Sequence, residues 1–554
     1  MFGKREQKEV QINRDSYWGG RRIERKVIVL ICLMACTIFC VLYGIGKLNP
    51  GYTDWLLFYE DSTIQYIGGQ AFKQSPWMFP FGNLNTLHYP DTSSVIFTDS
   101  IPLLAMIYKL VSPLVNGTYQ YVGIWVLLCY ITTGLLSGKI FSRFIKNKVV
   151  LLIGVAIVLL NPVMANRYYA HASLMGQWTI LLSAIPFVYY DYWQSDSSKM
   201  LKFSFSLGAL MPSVHMYFLL ENGIVLFAYC LYDAIKRKKY LAELGNLIMY
   251  CLGGAVSIFL LGGFSGTRSF WGGAGGFGEY SFNLNGFINS QGCSSIFDGL
   301  KNGENQYEGF SYLGFGMILL LIAVVILLFA SDQSREWIKT RKAFTIVFAV
   351  FCLISVLIST SPKIMLGKQV LFEIPFPRII QRIWGIFRAT GRLIWPLYYC
   401  LFFVGIILAA RLITEKRLIV IVLSVCLILQ VVDLYPLYSS KSVADDMVYQ
   451  TNLDENKWDE IIDKTETKHL VLMGIDAREL YDFGLYAISK GLTLNTFRIA
   501  HGGLSYVEAA EKAIRSREKG NLYVFHNLKD SADYPELKCS EMDSFWIGVP
   551  MGNQ

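Results

Sequence analysis

Apolar stretches long enough to cross a bilayer recur about eleven times along this chain, and they leave few folds open to it. A spanning helix needs about 20 mostly apolar residues, because its backbone polar groups must be satisfied within the segment. Runs of that kind lie at 27–46, 119–142, 148–166, 172–193, 200–212, 213–235, 243–263, 311–330, 343–361, 391–411 and 417–438, with 200–212 the shortest. Charged residues are only 17% of the 554 and hydrophobic ones 53%, where a soluble globular chain carries roughly 25% charged residues. The expectation is an all-α polytopic membrane protein with about eleven transmembrane helices, lying in a lipid bilayer. Aromatics at 15% suit the belts that border such spans.

Loop charge orients the spans. Positive residues gather on cytoplasmic loops, and with a cytoplasmic N-terminus one side collects Arg143-Lys146-Lys148, Lys199-Lys202, Lys236-Arg237-Lys238-Lys239, Arg335-Lys339-Arg341-Lys342 and Arg411-Lys416-Arg417. Residues 1–26 form a basic cytoplasmic tail, and 27–46 reads as a retained helix, since no small-residue cleavage site follows it. Residues 27–440 form the membrane domain. An odd span count puts 441–554 outside, where 13 Lys+Arg against 19 Asp+Glu mark an acidic domain. That tail reads as a small α/β unit, with strands at Leu470–Met473 and Leu522–Phe525 and a helix over about 505–519. The opposite face carries the large loops: 47–118, with surface helices expected at 60–74 and 98–113, a Gly-rich loop at 264–310, and an Arg-rich one at 362–390.

Several chemistries are excluded. No basic-aromatic patch suggests nucleic acid, and the chain has no HExxH, paired CxxC, GxSxG or EF-hand pattern, so no metal or cofactor is expected. The Gly-rich stretch 262–278 lacks the Gly-Lys-Ser/Thr end of a phosphate loop. Nine of the 11 cysteines lie in apolar runs, including Cys32, Cys36 and Cys40, and read as small buried thiols.

Ionisable groups near a membrane are costly, so their placement carries information. Asp54, Glu60, Asp61, Asp91 and Asp99 fill the first outer loop. Asp91 reads as a solvated loop residue. Asp61 and Asp99 each open an apolar helix, where a carboxylate also serves as N-cap. Glu221 lies just inside a span, and Glu308 ends the Gly-rich loop in Gln306-Tyr307-Glu308-Gly309-Phe310-Ser311-Tyr312. His88, His171 and His215, three of the six histidines, fall at the outer boundary; each is a candidate binding residue or a hydrogen-bonded interfacial histidine. Arg378, Arg382, Arg388 and Arg392 approach the tenth span. Arg388 and Arg392, four apart, are expected on one helix face, and a guanidinium suits a phosphate oxygen pair.

The segment Glu60-Asp61-x3-Gln65-Tyr66-Ile67-Gly68, closing on Ser75-Pro76-Trp77-Met78-Phe79-Pro80, resembles the first outer loop of the GT-C class of membrane glycosyltransferases. There an acidic pair opens a surface helix that ends in a small residue, Trp and Pro. Phe97-Thr98-Asp99-Ser100-Ile101-Pro102 and Phe387-Arg388-x2-Gly391-Arg392 also look like a bacterial multi-pass family placed beside that class. The acidic pair here reads Glu-Asp in place of the usual Asp-Glu. The resemblance implies a bacterial cytoplasmic-membrane enzyme that moves a sugar from a polyprenyl-phosphate carrier to a hydroxyl of a cell-envelope glycan or polymer, with inversion. In that reading Asp61 is the base, with Glu60 and Asp54 as its alternatives. Asp99, His88, His171, His215, Glu308, Tyr312, Arg388 and Arg392 bind the substrates. The rival is a lipid-carrier or solute transporter, which would gather its polar groups near the bilayer midplane.

Overall fold

The structure is a computed structural model that describes residues 23–114, 117–265, 278–330, 340–441, 448–500, 508, 511–513, 519–527 and 534–551, with backbone alone at 382–385 and 477. Its main helices are α1 (Arg25–Tyr43), α2 (Glu60–Gln74), α3 (Pro102–Val111), α4 (Val122–Phe144), α5 (Lys148–Leu159), α6 (Trp178–Val188), α7 (Ser197–Val214) and α8 (Tyr217–Arg237). There follow α9 (Tyr240–Leu260), α10 (Phe315–Ala330), α11 (Lys342–Thr360), α12 (Trp395–Leu412), α13 (Lys416–Asp433), α14 (Glu455–Thr465) and α15 (Ala477–Lys490).

Each expected apolar run falls on a helix, but only seven helices among the described residues are both long and apolar enough to cross a membrane: Arg25–Tyr43, Val122–Phe144, Lys148–Asn166, Tyr217–Arg237, Tyr240–Leu260, Lys342–Thr360 and Thr390–Leu412. The runs at 172–188 and 315–330 are shorter. α7 and α13, at 18 residues each, carry Lys199 and Lys202, and Lys416, Arg417 and Asp433. Helices in lipid gain nothing from hiding apolar surface from each other, so close approach has to supply the packing. α7 and α9 achieve it through glycine: a Cβ on Gly208 would lie 2.0 Å from the Tyr250 carbonyl oxygen, and one on Gly253 2.1 Å from that of Phe205.

Two small hairpins interrupt the helical body, β1–β2 (Asn83–Leu84 with Ser93–Ser94) and β3–β4 (Lys363–Leu366 with Gln369–Glu373). The C-terminal part is a five-stranded sheet of β5 (His469–Met473), β6 (Thr493–Leu494), β7 (Asn521–Phe525), β8 (Leu537–Met542) and β9 (Phe545–Pro550), in the order β6-β5-β7-β9-β8. β6, β5 and β7 run parallel, while β7–β9 and β9–β8 are antiparallel. Asp543 and Ser544, both at positive φ, turn the β8–β9 hairpin, the backbone that a two-residue hairpin loop prefers. The two expected strands are β5 and β7; the helix expected at 505–519 lies largely outside the described residues.

This domain rests on the first loop. Leu494 N–H donates to Thr86 O (2.7 Å), Tyr89 N–H to Leu494 O (2.8 Å) and Ala500 N–H to Phe97 O (2.9 Å). Tyr89 stacks on His469 with centroids 3.8 Å apart, Gln74 Nε2 donates to Ile488 O, and Arg498 pairs with Glu60. α2 is thereby held between the membrane helices and the sheet domain.

Candidate functional site

α2 begins where the sequence suggests, but its acidic residues do not cap it. The N-cap is Tyr59, with no side-chain cap bond, and Asp61 is the second helical residue. Ser62 Oγ and Thr63 Oγ1 fasten this first turn to Leu56 O (2.7 and 3.1 Å). Gly68 sets the helix against the loop that follows it, since a Cβ there would sit 2.4 Å from Thr98 Cβ. Across this contact Gln65 Nε2 donates to Asp99 O (2.9 Å) and Ser100 Oγ to Gln65 O (2.8 Å).

Asp99 is also no N-cap. It lies ahead of α3 at φ 57°, Ile101 caps the helix at φ 51°, and Pro102 opens it. The expected helix over 98–113 therefore starts four residues late. That left-handed backbone, unusual outside glycine, accompanies a carboxylate turned inward. His171, itself at φ 66°, donates from Nδ1 to Asp99 Oδ2 (2.8 Å), and Ser173 Oγ donates to Asp99 Oδ1. His215 Nε2 stands 3.4 Å from Asp99 Oδ1. The other ring nitrogen of His171, Nε2, points to Asp61 Oδ1 at 3.6 Å. The result is a line Asp99–His171–Asp61 whose inner carboxylate is 13% exposed and whose outer carboxylate is 36% exposed. The Asn161-Pro162 break, with Asn161 Oδ1 accepting from Met164 N (2.9 Å), turns the chain at the end of α5 and delivers Arg167 and His171 here.

Behind that line lies a second ionic group. Glu308 Oε2 accepts from Arg167 Nη1 (2.8 Å), Arg392 Nη2 (2.9 Å) and Arg392 Nε (3.1 Å), while Arg167 Nη2 donates to Glu308 O (3.0 Å). Two glycines let these segments meet: a Cβ on Gly391 would come within 2.6 Å of Gly309 Cα. Arg392 also lies over the Tyr217 ring at 4.7 Å, and Tyr217 Oη accepts from Ala389 N–H (2.8 Å).

Electrostatics separate the roles. Burial raises the Asp61 carboxyl above the usual carboxylate range; Asp99 and Glu308 add to this, and His171 and Arg392 oppose it. Burial would also raise Asp99, yet His171, His215 and Ser173 outweigh it and hold it low. For His171 burial favours the neutral ring, but Asp99 and Asp61 prevail and raise it above its ordinary value. His215, with one carboxylate against burial and nearby cations, falls to about 3. Burial of Glu308 is outweighed by Arg392 and Arg167, which keep it ionised well below the ordinary range.

The structure thus brings Asp61, Asp99, His171, His215, Glu308 and Arg392 together. Other sequence candidates lie outside this group, Arg388 at its margin. Glu60 faces the C-terminal domain, paired with Arg498. Asp54 lies in the short 3₁₀ turn Asp54–Leu56, where partial burial raises its carboxyl. His88 is buried, its Nε2 has no hydrogen-bond partner among the described residues, and burial lowers it to about 4. Tyr312 is buried elsewhere and donates to Asp433 Oδ2 (2.9 Å). Arg388 and Arg392 do not share a helix face: Arg388 is exposed in coil over the Tyr280 ring (5.1 Å), and Arg392 is buried in the 3₁₀ turn Thr390–Ile394. Sequence reasoning missed Arg167 and Ser173; the available signal was their place in the same short segment as His171, directly after an apolar run.

A family model described as a domain of unknown function, DUF6311, matches residues 32–435, and so takes in every member of this cluster. The chain belongs to the DUF6311 family. A second model, described as the DUF6311 C-terminal domain, matches residues 457–550. The DUF6311 region and its C-terminal domain therefore meet at α2, beside the cluster. No curated protein matches the chain.

Proposed function

We propose that this protein is a GT-C-like glycosyltransferase that moves a sugar from a polyprenyl-phosphate carrier to a hydroxyl of a cell-envelope glycan on the outer face of the bacterial cytoplasmic membrane. The observation that carries this reading is the Asp99–His171–Asp61 line, a partly exposed carboxylate positioned through a histidine by a more enclosed one. Asp61, with its raised carboxyl, is the general base, because a base works best when its pKa lies near the working pH. The acceptor oxygen bonds to the anomeric carbon as Asp61 takes its proton. The bond from that carbon to the phosphate oxygen breaks, and the electron pair leaves with the polyprenyl phosphate. Attack opposite the leaving group inverts the centre. Arg388, exposed at the margin of the cluster, meets the phosphate, and a guanidinium there stabilises its developing charge. Arg167 and Arg392, both engaged by Glu308, hold the floor of the site. In this reading the N-terminus is cytoplasmic, about eleven helices span the membrane, and the C-terminal domain is extracytoplasmic.

One observation favours a second reading, a lipid-carrier or solute transporter. Glu221 is fully buried within α8, and neither carboxylate oxygen has a hydrogen-bond partner among the described residues. Ionisable groups inside spans often mark transport paths. A panel of polyprenyl-phosphate sugars, offered to the protein in lipid nanodiscs with envelope extract as acceptor, separates the two. The transferase reading expects one donor to be consumed with release of polyprenyl phosphate. Consumption of none, with movement of donor across proteoliposomes, supports the transporter.

A further inference from the structure

A cleft of about 660 Å³ opens on the other side of the α2 N-terminus, between the first loop and the C-terminal domain. Its lining includes Phe58 and Glu60 from the loop side and Tyr449, Gln450, Arg478 and Tyr481 from the C-terminal side. Phe58 is 42% exposed, and its ring meets that of Tyr449 edge-on at 6.0 Å. Tyr449 Oη donates to Asp482 Oδ1 (2.7 Å), and Tyr481 Oη accepts from Arg498 (3.2 Å), which in turn pairs with Glu60. The two tyrosines are thus fixed by their own hydrogen bonds and Phe58 by its contact with Tyr449, while Arg478 and Gln450 are exposed. Small-molecule sites are typically clefts of ~300–1,000 Å³ with apolar and aromatic walls and a few polar groups.

We infer that this cleft binds the acceptor, and that the acceptor is a hydroxyl-rich sugar ring; the inference rests on the transferase reading above. The lining chemistry selects that class. A pyranose offers an apolar C–H face to an aromatic ring and a rim of hydroxyls to donors and acceptors. Phe58, Tyr449 and Tyr481 supply the rings, Arg478 and Gln450 supply donors, and Glu60 supplies an acceptor. A lipid chain would find too many polar groups here, and a phosphate would meet Glu60. Continuity with the chemistry is covalent: Glu60 lines the cleft and Asp61, the next residue, faces His171. A ring seated in the cleft is therefore held beside the helix turn that carries the base, and the C-terminal domain determines which acceptor is used.

Titration calorimetry of the full-length protein in nanodiscs with octyl glucoside, galactoside, mannoside and N-acetylglucosaminide, each below its micellar concentration, tests this. At least one glycoside binds, and Phe58→Ala and Arg478→Ala each raise its Kd at least about tenfold. Both side chains are exposed, so these variants fold. Binding of no glycoside, or equal Kd values in wild type and variants, overturns the inference. The donor assay stands apart: donor consumption with no glycoside binding rejects the cleft and keeps the transferase, whereas cleft binding without donor consumption rejects the transferase and the acceptor role with it, and leaves a sugar-binding cleft.

Discussion

His171 illustrates how one residue is set by its neighbours. Asp99 holds Nδ1 and Asp61 faces Nε2, so the ring cannot turn without breaking its partly buried bond to Asp99. The stability of the pair depends on pH in a direction that follows from the shifts. His171 is raised above 6.5, so its contribution is full below that value and is lost as pH climbs through its folded pKa. Asp99 is lowered below 3.8, so its contribution is present above that value and is lost as pH falls through its folded pKa. Asp99→Asn should therefore destabilise by roughly 1–3 kcal/mol between these limits, and the gap from wild type should narrow in alkali. Denaturation profiles of both proteins at pH 5.5 and pH 9 check it; an equal gap at both contradicts the charged pair. Glu308 is a harsher case, because its loss leaves two guanidiniums facing each other in a buried site. Breaking a buried ion pair from one side costs about 3–5 kcal/mol, so Glu308→Gln should lower the unfolding midpoint well beyond Glu60→Gln, whose exposed pair with Arg498 contributes little.

At the scale of elements, α2 is the part that the site cannot lose. It carries Asp61, it is fastened to the Asp99 loop, and Gly68 is where the two touch. Gly68→Ala puts a Cβ 2.4 Å from Thr98 Cβ; overpacking of this kind costs about 1–3 kcal/mol. The expected result is a less stable protein in which transfer falls further than in Asp91→Ala, measured as initial rate in nanodiscs. Much of this element was legible in the sequence: a charged opening, an apolar face and Ser75-Pro76 at the end give α2 its bounds of 60–74. The Asp99 loop was not. Its left-handed residues are held by Gln65, 34 residues away, and local pattern does not report such a bond. Arg388 and Arg392 misled for a related reason, since helix spacing has meaning only on a helix and the chain there is coil followed by a 3₁₀ turn. Arg167 was missed because its partner Glu308 lies 141 residues on.

For the whole molecule, apolar runs and loop charges led to a helical membrane body with a small sheet domain, and the structure has both. What they could not show is that the sheet domain rests on the first loop, so that α2 lies under it, with the ionic cluster on one side and the aromatic cleft on the other. That placement gives the domain a reason to accompany the membrane body. The claim on which the whole account turns is that Asp61 accepts a proton during sugar transfer. The direct measurement is the rate of polyprenyl-phosphate release from the consumed donor, wild type beside Asp61→Asn, in nanodiscs of the same lipid. Proton transfer to Asp61 means a loss of about 10²–10⁴-fold in a variant that unfolds at the wild-type temperature; equal rates would rule it out.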